Sequence, residues 1–100
     1  MEYIFTGWCK DVDTNTDKVW SAIKLRDNGY EGDYLTVWGR RGAKLQGKVL
    51  KDQTEWDMHK LCASKEKKGY NRLSPEEFNN VYPDFQQDLE QSAFWAALSI

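Results

Sequence analysis

The chain has 100 residues, of which 40% are hydrophobic, 30% charged and 14% aromatic. That composition points to a single small domain and excludes a disordered tail, a collagen-like repeat and a run of about 18 apolar residues able to span a bilayer. The formal net charge of −2 argues, at first sight, against a nucleic-acid-binding role.

Residues 3–10 are rich in aromatic and β-branched side chains and predict a strand. A polar loop follows over residues 11–17. Residues 18–26 alternate cleanly. Val19, Ser21, Ile23 and Leu25 point one way, and Lys18, Trp20, Ala22, Lys24 and Arg26 point the other. Asp27-Asn28-Gly29 and Glu31-Gly32-Asp33 carry turn chemistry. Residues 34–41 predict the next strand, with Leu35 and Val37 on one face and Tyr34, Thr36, Trp38 and Arg40 on the other. Residues 42–47 are a turn region, and residues 46–51 can return as a third strand of the meander.

The period changes at Asp52. Asp52 and Glu55 have the form of a capping box, and Trp56, Met58, Leu61, Cys62 and Lys65 follow at helical spacing. Gly69 is a stop signal, so a helix is predicted over residues 53–68. Ser74-Pro75-Glu76-Glu77 starts a second helix, with Ser as N-cap and Pro in the first position. Pro83 ends it. Residues 84–98 predict a last helix with Phe85, Leu89, Ala93 and Ala96 on one stripe. The expected fold is α+β: an antiparallel β-sheet with one α-helix packed across it, plus a C-terminal helical extension. If Leu35 and Val37 face that helix, Trp38 and Arg40 face water, where Trp20, Lys24 and Arg26 would join them.

Charge is unevenly distributed. Residues 1–37 carry −3, residues 38–72 carry +6 and residues 73–100 carry −5. Arg40, Arg41, Lys44, Lys48 and Lys51 fall within residues 38–51, which hold no acid. The −2 is therefore an average over unlike blocks, and the basic one reads either as a solvated surface or as an anion-facing patch. The strand face with Trp38 and Arg40 places a stacking surface beside a phosphate ligand, an arrangement suited to nucleic acid.

Catalytic chemistry is not evident. His59 is the only histidine, and no Cys or second His stands at ligand spacing from it, so no metal is expected. Trp38-Gly39-Arg40-Arg41-Gly42 matches neither a phosphate-binding loop nor a dinucleotide fingerprint, so no cofactor is expected either. Cys9 and Cys62 stand far apart. Met1-Glu2-Tyr3 lacks the basic start of a secretory leader, and two reduced thiols in a cytoplasmic protein are expected.

Val37-Trp38-Gly39-Arg40-Arg41-Gly42, followed by a helix ending Lys65-Glu66-Lys67-Lys68-Gly69-Tyr70, resembles a WGR domain. That family, named for its Trp-Gly-Arg tripeptide, occurs in DNA-dependent poly(ADP-ribose) polymerases and in short bacterial proteins. Residues 15–20 are similar to the family's lead-in to its first long strand, and the likeness covers roughly residues 8–72. It implies an antiparallel sheet crossed by one helix, and binding at a DNA strand end. Trp38 would stack on a terminal nucleotide and Arg40 would contact phosphate or a partner, with Asn15 and Gln46 near polar positions of the family. Three residues depart from the pattern. Arg41 replaces an aliphatic residue, Leu45 replaces a glycine, and Gly47 follows instead.

The expectation is a non-catalytic module in which Trp38, Gly39, Arg40, Arg41, Lys44, Gln46, Lys48, Asn15 and Trp20 contact DNA ends or strands. Residues 1–73 would form the WGR-like domain, and residues 74–100 an acidic helical extension packed on or beside it. The alternative is a protein-interaction module or accessory subunit, for example of a phage or a bacterial defence system. It would use the same surface or the acidic helices, which could dock a basic partner or fold over the basic patch. Neither a membrane nor a small-molecule substrate is expected.

Overall fold

In the computed structural model, which describes residues 2–98, four long strands form an antiparallel meander. They are β1 (Glu2–Asp11), β2 (Thr16–Asp27), β3 (Glu31–Arg40) and β4 (Gln46–Thr54). The chain passes from β4 directly into helix α1 (Glu55–Lys67). A two-residue strand, β5 (Asn71–Arg72), then pairs with β1, giving the order β4-β3-β2-β1-β5. Three short helices close the described chain: α2 (Pro75–Val81), α3 (Phe85–Glu90) and α4 (Ala93–Ala96).

Both sheet faces are covered. On one side Met58 and Cys62 of α1, spaced one helical turn apart, bury against Phe5, Trp20, Ala22, Tyr34 and Tyr70. On the other, Val19, Ile23, Leu35, Val37 and Leu45 pack under Phe78, Tyr82, Phe85 and Leu89 of the C-terminal segment. Leu35 and Val37 thus face α2–α4, not α1 as expected. Alternation holds from Lys18 to Lys24 of β2 and from Tyr34 to Arg40 of β3, and a bulge between Lys24 and Arg26 interrupts the clean alternation expected to run to Arg26. Each strand has two apolar faces, and α1 covers the aromatic one.

The Cβ of a non-glycine residue at position 47 would lie 2.5 Å from the Phe94 ring, so Gly47 is what lets that ring lie on β4. Phe78 and Tyr82 meet Phe85 edge-on, with centroids at 4.9 and 5.4 Å. The Tyr82 hydroxyl donates to Asp88. Burial first, and that carboxylate second, push the Tyr82 phenol up to about 12.

Local differences from expectation have identifiable causes. Helix α1 starts two residues later than the Asp52 cap implied, because β4 keeps pairing with β3 as far as Thr54, opposite Glu31. Thr54 is the N-cap and Asp57 completes the box, each with a 3.0 Å hydrogen bond. Asp52 instead takes a positive φ of 56°, with its N–H on the Asp33 carboxylate. Gly69 takes a φ of 103° just past α1, as the stop signal anticipated. Ser74 caps α2 with Pro75 in its first turn.

The last helix is broken at Gln91–Ser92. The Ser92 hydroxyl donates to the Leu89 carbonyl at 2.6 Å and caps α4. The break turns Phe94, Trp95 and Leu98 onto the core and leaves Ala93 and Ala96 in solvent, contrary to the single stripe predicted. The pair β1–β5 is too short to show in a sequence pattern.

Because residues 74–98 supply the cover for one sheet face, deleting residues 74–100 should abolish cooperative urea unfolding. Leu89→Ala in the full chain should cost about 2–5 kcal/mol. A truncated chain that still unfolds in one sharp transition would refute that role for the segment.

Candidate nucleic-acid interface

The side of the sheet that carries α1 has a distinctly basic end. Strand register sets Lys18 opposite Arg40 and Trp20 opposite Trp38. It also sets Gln46 opposite Trp38 and Lys48 opposite Thr36. All of these side chains share one face, because residues directly paired across antiparallel strands point the same way. Trp38 is half-buried at the edge of the cluster formed by Phe5, Trp20, Tyr34, Met58 and Cys62. Arg40, Gln46 and Lys48 are exposed.

Helix α1 brings further cations to this end. Lys65 lays its ammonium 5.5 Å from the centre of the Trp20 ring, and Lys18 lies at the same distance from Tyr70. Burial, with Lys68 and Lys18 adding to it, holds the Lys65 ammonium below its ordinary value. Lys68 and Lys18 thus both repel Lys65 at the edge of an aromatic floor. The neighbouring carboxylates are engaged elsewhere, with Glu66 on Arg72 at 3.4 Å and Asp17 on Arg41.

Arg40 is held by the β1–β2 turn. Its guanidinium donates to the Asn15 carbonyl at 2.9 Å and to the Asn15 side-chain oxygen at 3.3 Å. Asn15 offers both acceptors from a left-handed conformation with φ 54°. This orients Arg40 while leaving it in solvent. Gly39 keeps the β3–β4 loop close, since a Cβ there would stand 3.2 Å from the Lys44 carbonyl.

The expected site residues divide into two groups. Trp38, Gly39, Arg40, Gln46, Lys48, Asn15 and Trp20 come together on this face or at its margin. Trp20, expected on an outer surface, is only 4% exposed and forms the floor beneath Lys65. Arg41 and Lys44 lie apart. Arg41 binds Asp17 through Nε at 3.1 Å and Nη2 at 2.9 Å, donates to the Val81 carbonyl and lies over Trp8. Lys44 lines a groove with Asp88 and Gln91 on the C-terminal side. Lys24 and Arg26 sit toward the other end of β2, where Lys24 pairs with Asp27.

Sequence reading did not single out Lys18, Lys65 and Lys68 as site residues. A signal for two of them was present: Lys18 shares the parity of Trp20, and Lys65 lies on the Met58–Cys62 stripe. A lysine on a core stripe lays its stem over apolar surface and puts its charge at the rim. Helices α2–α4 pack on the opposite face and so do not cover Trp38. Among the described residues no three His, Cys, Asp or Glu side chains converge as metal ligands, and no helix is long and apolar enough to cross a membrane. Comparison of the chain with protein-family models, curated proteins and solved structures finds no match.

Asp17 also accepts from the Trp8 indole at 2.7 Å. Burial pushes its carboxyl up, but the hydrogen bonds from Trp8 and Arg41 outweigh it, and the group lies below its ordinary value of 3.8. A carboxylate lowered on folding stabilises above its unfolded value, and that stabilisation is lost as pH falls through the folded value. Asp17→Asn should therefore cost about 1–3 kcal/mol at neutral pH in urea unfolding. The gap from wild type should close as the pH drops below 3.8. A gap that stays constant into acid would contradict a role for the ionised carboxylate.

Proposed function

We propose that the protein is a non-catalytic nucleic-acid-binding module. Trp38 stacks on a nucleotide, and Lys18, Arg40, Lys48, Lys65 and Lys68 hold the adjoining phosphates. The observation that carries this reading is the meeting, on one face, of a half-buried Trp with Lys18, Lys65 and Lys68, which form no ion pair among the described residues. A bound polyanion would relieve their repulsion, and stacking on an aromatic ring tolerates any base.

Resemblance to WGR domains narrows the ligand to DNA at or near a strand end. Two halves of that resemblance lie far apart in the chain yet adjoin in the fold. Lys18, paired with Arg40 of the Trp-Gly-Arg strand, rests on Tyr70 of the Lys-Gly-Tyr ending. The three departures from the family pattern have a common explanation, because each serves the C-terminal segment. Arg41 binds Val81, Leu45 joins the core under Phe78–Leu89, and Gly47 makes room for Phe94. All three thus meet the layer on the far face of the sheet from Trp38.

A second reading is docking of a basic protein on the outer side of that layer. Residues 73–100 hold five acids and no base, and Glu76, Glu77, Asp84 and Glu90 are exposed. Since α2–α4 lie on the opposite face, this surface suits another molecule better than the chain's own basic patch.

Fluorescence anisotropy with labelled single-stranded and blunt duplex DNA, across a salt series, tests the proposal. Affinity should fall with salt, with a slope of about −0.9 per contacted phosphate on duplex. Trp38→Ala should weaken binding by about 1–3 kcal/mol. Lys18→Gln and Lys65→Gln should each flatten the slope by roughly one. Thermal melts of each variant separate lost contacts from lost fold. Undetectable binding of the intact protein at low salt would sink the proposal.

A further inference from the structure

The opposite end of the same sheet carries a second, chemically different surface. Tyr30, at the β2–β3 turn, is 86% exposed, and Trp56, in the first turn of α1, is 65% exposed. These are among the most exposed large apolar side chains of the described residues. They flank a single groove of about 270 Å³ whose lining includes Tyr34, Glu31, Glu55 and Lys24. Interfaces are enriched in aromatic residues that are rigid and only partly apolar, and two such residues facing one concavity exceed the scatter of single exposed apolar side chains.

The charge of the groove selects its occupant. Glu31 and Glu55 supply negative charge at its wall. The lysine that lines it already has a carboxylate, with Lys24 Nζ 3.3 Å from Asp27. Phosphate would meet these acids unfavourably, whereas a cation would meet both carboxylates and aromatic faces. Trp56 is also held in place. His59 stacks on it at 5.9 Å with 20° between the planes, and the Lys60 ammonium lies 5.8 Å from its centre. Both come from the next turn of α1, so they steady the ring from that side, which lowers the cost of ordering it on binding.

We propose that the Tyr30–Trp56 groove is a docking site for an arginine or lysine side chain of a partner protein. It is separate from the nucleic-acid face and does not depend on that reading. The protein would then hold a polyanion at one end of its sheet and a basic protein segment at the other.

The test is NMR titration of the full-length, ¹⁵N-labelled protein with a short blocked peptide of alternating glycine and arginine. The matching citrulline peptide serves as the uncharged control. The arginine peptide should produce saturable shifts at the Trp56 indole N–H and at the Gly29, Tyr30 and Glu31 amides, and the citrulline peptide should not. Trp56→Ala and Tyr30→Ala should each weaken the interaction about two- to fivefold, and Glu55→Gln should weaken it in the same sense. Both aromatic side chains are exposed, so spectra elsewhere should stay unchanged and report an intact fold. Any of four results would overturn the proposal: no saturable shift in the groove, equal shifts with citrulline, shifts confined to α2–α3, or stronger perturbation of the groove by a thymidine oligonucleotide. DNA anisotropy of Trp56→Ala should match wild type, so failure of one proposal is distinguishable from failure of the other.

Discussion

Val19 and Trp20 are neighbours in the chain, and both are almost wholly buried, on opposite faces of the sheet. Val37 and Trp38 likewise point to opposite faces one strand away, Val37 wholly buried and Trp38 half-buried, and register places them directly opposite Ser21 and Trp20. That pairing constrains the rest of the molecule. A one-residue slip of β3 against β2 would send Trp38 into the layer built for Val, Leu and Ile, and would put Leu35 and Val37 under α1. Ser21 fixes the next register along, that of β1 on β2, because its buried hydroxyl donates to the Phe5 carbonyl of β1 at 2.9 Å. A polar group with one geometrically suitable acceptor discriminates between registers more sharply than apolar contact does.

The two-sided sheet explains how an acidic protein carries a basic face. The −5 of the last 28 residues is held on helices whose apolar side is committed to the core, so their acids project away from Trp38. The basic residues 38–51 divide likewise. Arg40 and Lys48 go to the α1 face, while Arg41 crosses to the other and joins Asp17, Trp8 and Val81. Arg41 is the fastener between the sheet and the C-terminal layer. An arginine suits that position because its planar fork satisfies a carboxylate and a carbonyl while its flat face covers an indole.

Formal charge also separates along the length of the sheet. Toward the β1–β2 turn, lysines gather over Trp20 and Tyr70. Toward the β2–β3 turn, Glu31 and Glu55 gather beside Tyr30 and Trp56. Aromatic rings serve both ends, but the formal charges around them differ in sign.

Much of this was legible in one dimension. Alternation in residues 18–26 and 34–41 determined the strands and which side chains share a face, because the side-chain period of a strand is two regardless of context. Ser74-Pro75 and Gly69 determined helix ends, because capping and left-handed geometry are local. What sequence could not determine was which of two apolar faces each helix would take. That depends on the volumes of Trp20, Tyr34 and Trp38 on one side and of Val19, Leu35 and Val37 on the other, matched against helices far along the chain. The same long-range packing buried Trp20, drew Lys65 and Lys68 to Lys18, and turned Arg41 inward. Sequence by itself determined the elements and the lopsided charge. Tertiary structure decided where that charge is displayed, because a side chain's neighbours across a sheet are set by contacts between residues distant in the chain.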